Sequence, residues 1–145
     1  MPFMWADTLL AAERAHLLRL VAWGGASLLL GATLLVFLRV RRQPSALLTS
    51  FAVQTAAWGA IDLALAANGL RTLTLRDLAG ATRLDRFLWL NIGLEGGYVL
   101  VGLTLLLVGW RLGRRPGLMG AGLGVMVQGA ALAVLDVGLA SQISR

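Results

Sequence analysis

Cysteine is absent from the 145 residues, lysine is absent too, and histidine occurs once, as His16. Without cysteine there is no disulfide, no thiolate metal site and no thiol nucleophile. Without lysine there is no Schiff-base chemistry, since all 13 basic residues are arginine. A single histidine excludes a bis-histidine haem and a histidine-rich metal centre, so neither a metal nor another cofactor is expected. Charge is scarce as well, at 14% of residues against about a quarter in an average soluble domain. No G-x-S-x-G, phosphate-binding loop or H-E-x-x-H motif occurs. An enzyme would have to use carboxylates as its acid and base with no nucleophile in view, so no catalytic residue is assigned.

What the chain has in abundance is apolar surface. Hydrophobic residues make up 58% of it, the mean hydropathy is +0.78, and the charges fall in short clusters between long apolar runs. That pattern predicts a membrane protein. Four runs stand out, at about residues 20–38, 44–67, 87–110 and 116–140. Each has roughly the 20 residues that cross about 30 Å of hydrocarbon at 1.5 Å per residue. The expected fold is an all-α integral membrane protein with four transmembrane helices in one domain, residues 1–145.

Local signals mark the ends. Pro44 and Pro116 suit first-turn positions, where a missing N–H costs nothing. Thr82-Arg83-Leu84-Asp85 reads as a capping box opening the third helix, and Asn68-Gly69 closes the second. Residues 1–20 are amphipathic, with Asp7 as a candidate cap, and read as an interfacial helix or an extension of the first span. A signal peptide fits less well, because the run lacks a small-residue cleavage site and is long enough to span. Residues 70–86 read as a loop along the membrane surface.

The chain also repeats itself. Gly31-Ala32-Thr33 matches Gly102-Leu103-Thr104, and RVRRQP at 39–44 matches RLGRRP at 111–116. Gln54 and Asp62 match Gln128 and Asp136. The expectation is two tandem helical hairpins in a parallel repeat. The net charge of +6 invites a nucleic-acid reading, but the arginines flank apolar spans and fit lipid headgroups better. The expected partners are therefore the lipid bilayer and a homo-oligomer or larger membrane complex. The acid-free loops 39–43 and 111–115 are assigned to the cytoplasm, although arginine is nearly balanced between the two ends.

Polar residues inside apolar spans are costly, and they must face protein or water rather than lipid. Asn91, Glu95, Tyr98 and Gly102 are spaced 4, 3 and 4, which places them on one helical face. Gln54, Trp58 and Asp62 follow at intervals of four beside Ala52, Ala56, Ala60 and Ala64. Gly120 and Gly124 form a G-x-x-x-G seam, and Gly96, Gly97 and Gly102 are read as points of close helix approach. With Arg86 as the membrane boundary, Glu95 lies about 13 Å deep. Asp62 and Asp136 fall in the same half, and the opposite half carries no ionisable group. The expectation is a pocket, open at the end carrying the N-terminus, that takes a proton, a small cation or a small polar ligand. Glu95 is its titrating group, Asn91, Tyr98 and Gln128 orient it, and Asp62 and Asp136 set the field, with Gln54 and Trp58 as further candidates. The alternative is that the same groups are interhelical glue in a scaffold or small subunit, with the two aspartates paired to Arg71 or Arg86 and His16 at headgroup level.

The segment Asn91-Ile92-Gly93-Leu94-Glu95-Gly96-Gly97-Tyr98, with Gln128-Gly129 and Asp136 after it, resembles a family of small bacterial four-helix membrane proteins known only as a domain of unknown function. Trp58 and Asp62 look like that family's tryptophan and polar residue in the second helix. The resemblance covers roughly residues 50–140, and it departs from the family in having Glu rather than Asp at the acid. It implies a four-helix fold, a bacterial inner-membrane location and a set of polar residues. It implies no activity.

Overall fold

A computed structural model describes residues 3–143; residues 1, 2, 144 and 145 lie outside the described residues. Among the described residues there are four helices: α1 (Phe3–Val40), α2 (Ala46–Arg71), α3 (Leu78–Arg111) and α4 (Pro116–Ile143). Each is long and apolar enough to cross a membrane. At 1.5 Å per residue, α1 and α3 are about 57 and 51 Å long, well beyond the 30 Å or so of a hydrocarbon core.

The N-terminal stretch is the extension and not a separate interfacial helix. It runs unbroken into the first span, so Asp7 sits within α1 and caps nothing. The reason lies in the buried face. Leu9, Glu13, His16, Leu20, Ser27 and Leu38 are all buried, and with Gly24 and Gly31 between them they follow helical spacing across the supposed boundary at residue 20.

The helix ends differ from their sequence signals in instructive ways. Pro116 opens α4 as expected. Pro44 stands outside α2, because Ser45 is the N-cap and its hydroxyl accepts from the Leu48 N–H at 3.2 Å. The second helix runs two residues past Gly69 and closes when the Thr72 N–H donates to the Asn68 carbonyl at 3.1 Å. The third begins at Asp77, whose carboxylate accepts from the Gly80 N–H at 2.7 Å. Thr82 is already inside it, donating to the Leu78 carbonyl. The supposed surface loop thus shrinks to the short link between Arg71 and Leu78. Asp77→Ala should therefore cost about 1 kcal/mol of unfolding free energy in mixed micelles, and Thr82→Ala well under half of that. Equal effects would return the start of α3 to Thr82.

The helices pack α1 on α2, α3 on α4 and α2 on α4, and α1 also touches α4. Small residues set these contacts. A side chain at Gly31 would run into the Ala52 carbonyl and the Ala56 amide, and one at Gly59 would meet the Gly24 carbonyl and the Leu28 amide. Gly102 meets Gly122 and Met126 in the same way. Gly120 and Gly124 fit α4 against Leu47 and Gln54 of α2, so the G-x-x-x-G seam is real. The alanine track is not the seam it seemed. Ala52 is fully buried, but Ala60 and Ala64 are exposed, and the seam continues through Thr55, Gly59, Asp62 and Ala66. A strict four-residue step drifts about 40° per step around a helix of 3.6 residues per turn, so alternate steps of three and four are needed to stay on one face. Gly96 and Gly97 likewise have open space and no close neighbour.

At the end carrying the N-terminus the core is a small apolar cluster of Leu88, Leu139 and Ala140, with Ala12, Leu84, Ile92 and Ile143 packed on it. The two arginine turns lie at the other end. Each holds an arginine in the left-handed region two residues before its proline, Arg42 at φ 50° and Arg114 at φ 53°, and Gly113 precedes the second at φ 75°.

Candidate functional site

The polar groups come together beside that apolar cluster. A cavity of about 310 Å³ lies between the helices there. Asp62 from α2, Glu95 and Asn91 from α3 and Asp136 from α4 all line it. Asp62, Glu95 and Asp136 are 1%, 5% and 7% exposed, so three carboxyls from three helices are buried around one space.

Each has a different environment. Asp62 accepts a hydrogen bond from the Gln128 side-chain amide, joining α2 to α4 at the inner limit of the cavity. Asp136 faces His16 of α1, with Nε2 3.3 Å from Oδ1. His16 Nδ1 lies 3.2 Å from the Leu135 carbonyl, which can only accept, so Nδ1 carries a hydrogen. The His16–Asp136 contact is then favourable when one proton sits between them, on the ring or on the carboxyl. Asp136 also interacts with Asn91 and Glu95. Glu95 reaches Asp136 yet keeps one oxygen, Oε2, buried with no hydrogen-bond partner among the described residues. A buried polar atom of that kind is uncommon and marks a place where a proton, ion, water or ligand belongs.

An ion pair lies at the end of the cavity towards the α2–α3 link. Arg76, in the α2–α3 link, donates from Nε and from a terminal nitrogen to the two Glu13 oxygens of α1, at 2.8 and 2.6 Å. These hydrogen bonds hold the guanidinium above its ordinary pKa. A bidentate pair of this geometry fixes orientation as well as charge. It straps the link between α2 and α3 across the cavity to α1.

Of the eight residues expected at the site, four line the cavity: Asn91, Glu95, Asp62 and Asp136. Gln128 serves it by holding Asp62. Trp58 and Tyr98 lie one turn further in, against each other, with ring centroids 5.3 Å apart. Neither lines the cavity. Gln54 does not line the cavity. It packs on Gly124 in the α2–α4 seam, because eight residues carry it about 12 Å along α2 from Asp62 and 80° around it. The expected pairing of the aspartates with Arg71 or Arg86 does not occur, since Gln128 and His16 occupy them. Glu13, Arg76 and His16 were missed. The signal was present for His16 and Glu13, which continue the spacing of the buried face of α1.

A family model described as "Family of unknown function (DUF6992)" matches residues 19–137. No curated protein and no solved structure matches the chain.

Proposed function

The chain belongs to the DUF6992 family, whose function is unknown, and on that premise we propose that it is a multi-pass membrane protein that binds a small cation, a proton or a small cationic ligand in the carboxyl-lined cavity. The observation that carries this reading is Glu95, 5% exposed, with Oε2 facing no donor while Asp62 and Asp136 are already engaged. The cavity holds Glu13, Asp62, Glu95 and Asp136 against His16 and Arg76, an excess of acid. A cation relieves that excess, and burial among apolar helices strengthens its attraction. Transport would require movement of the helices, because no charged residue lies between the cavity and the arginine turns to continue a path.

The same proposal places the four helices across a bacterial inner membrane, with the arginine turns facing the cytoplasm and the hairpins related as parallel repeats. The matching left-handed arginines and the matching contacts of Gly31 and Gly102 support the repeat. Those contacts pair Ala52 with Gly122 and Ala56 with Met126, one turn away from the pairing of Asp62 with Asp136 suggested by sequence. On this register Asp136 corresponds to Ala66, so the acid cluster is an asymmetric addition to a symmetric frame.

The test is thermal melting of the purified protein in neutral detergent with sodium, potassium, magnesium or methylammonium chloride at constant ionic strength. At least one should raise the melting temperature of wild type and leave Glu95→Gln unmoved, since binding to the native state alone adds stability. A Glu95→Gln variant that responds like wild type to every cation would sink the proposal. A second reading, a scaffold subunit of a membrane complex, is favoured by Gly93 and Gly96, exposed on α3 with nothing within 4 Å. Purification with a stoichiometric partner would support it.

A further inference from the structure

The cavity has a second opening, and it faces sideways. Helix α3 makes no backbone contact with α2 or with α1, but on the α1 side Ala12 packs on the cluster of Leu88, Leu139 and Ala140, which leaves the α2 side. Trp58 and Tyr98 bridge the gap with side chains at its inner limit. Further out, the gap is edged by Leu65 of α2 and Phe87 of α3. Both line the cavity, yet they are 58% and 57% exposed, so each faces the interior and the outer surface at once. That outer surface is the apolar flank of two membrane-length helices. The end of the cavity, by contrast, is strapped by Arg76 and Glu13.

We infer that the cavity takes an amphipathic cation, an ammonium head with an alkyl chain, that enters from the hydrocarbon between α2 and α3. This rests on the cation reading above. The head lies against Glu95 Oε2, a buried oxygen of the cavity lining without a partner, and the chain leaves between Leu65 and Phe87 into lipid. Each feature has its reason. The acids favour a positive head, the apolar rim favours a methylene chain over water, and the ion pair makes the aqueous end the harder route. A small hydrated ion would gain nothing from the rim.

The test uses the purified protein in maltoside micelles with three probes: octyltrimethylammonium, tetramethylammonium and 1-octanol. Melting temperature is followed against probe concentration for wild type, Glu95→Gln and Leu65→Trp, the last intended to fill the gap. Octyltrimethylammonium should stabilise wild type with a midpoint at least about tenfold below that of tetramethylammonium, the equivalent of burying roughly two methylenes. Glu95→Gln should abolish the response to both cations. Leu65→Trp should bring the two cations together while keeping the response to tetramethylammonium. Phe87→Trp takes its place if that variant does not fold. Equal midpoints for the two cations in wild type would overturn the lateral route and leave the cation reading standing. No response to either cation, or an octanol response equal to that of octyltrimethylammonium and unchanged in Glu95→Gln, would overturn both.

Discussion

Gly120→Leu should prevent the bundle from assembling. A carbon added at Gly120 would overlap the Leu47 carbonyl oxygen and come within 2.8 Å of its carbonyl carbon and 3.0 Å of its Cα. These are backbone atoms in the first turn of α2, so no rotamer change clears them. The clash is relieved only if α2 and α4 separate. Separation would also undo the contact of Gly124 with Gln54 and stretch the bond between Gln128 and Asp62. Overpacking a well-fitted contact costs about 1–3 kcal/mol and more where backbone must move, so we expect a loss of at least about 3 kcal/mol. Gly120→Ala should fall between that variant and wild type. Gly138→Ala is the control. Nothing lies within 4 Å of a side chain there, so trading glycine for alanine inside a helix should gain up to about 1 kcal/mol. Unfolding in mixed micelles measures all three. A Gly120→Leu protein as stable as wild type would mean that α2 and α4 do not meet at Leu47.

That contact also explains what the sequence could reveal. Four membrane-length helices follow from the apolar runs alone, and the face of α3 carrying Asn91, Glu95 and Gly102 follows from its spacing. Such features depend on helical periodicity within one segment. What stayed hidden depends on contacts between segments. Nothing about Gln128 alone says that it addresses Asp62 rather than Glu95, and nothing about Arg76 says that its partner is Glu13, 63 positions away. Other losses came from assigning a boundary too early. Taking Arg86 as the membrane face hid the start of α3, although Asp77 was as good a cap residue as Thr82. Taking residue 20 as the start of the first span cut the buried face of α1 in two and set His16 aside as a headgroup residue. In both cases the end of the apolar run was read as the end of the helix, whereas α1 and α3 continue past it.

Whether the buried acids hold the fold or hold a ligand is decided by comparing two substitutions that look alike on paper. Gln128→Leu should destabilise the protein by about 1.5–3 kcal/mol, because Asp62 is 1% exposed and would keep its polar oxygen without the amide that serves it. Replacing both partners, as Asp62→Leu with Gln128→Leu, should recover most of that loss and end within about 1 kcal/mol of wild type, since no polar group is then left unserved. Non-additivity of this kind is the mark of a direct contact. Glu95→Gln should behave differently. Oε2 has no donor to lose, so stability should change little while cation-dependent stabilisation disappears. The two results together assign Asp62 and Gln128 to holding α2 on α4 and Glu95 to binding. If Glu95→Gln is instead as costly as Gln128→Leu and no double substitution rescues it, Glu95 is part of the same structural network. The cavity would then be a gap between well-anchored helices rather than a binding site, and the open glycines of α3 would become the feature to pursue.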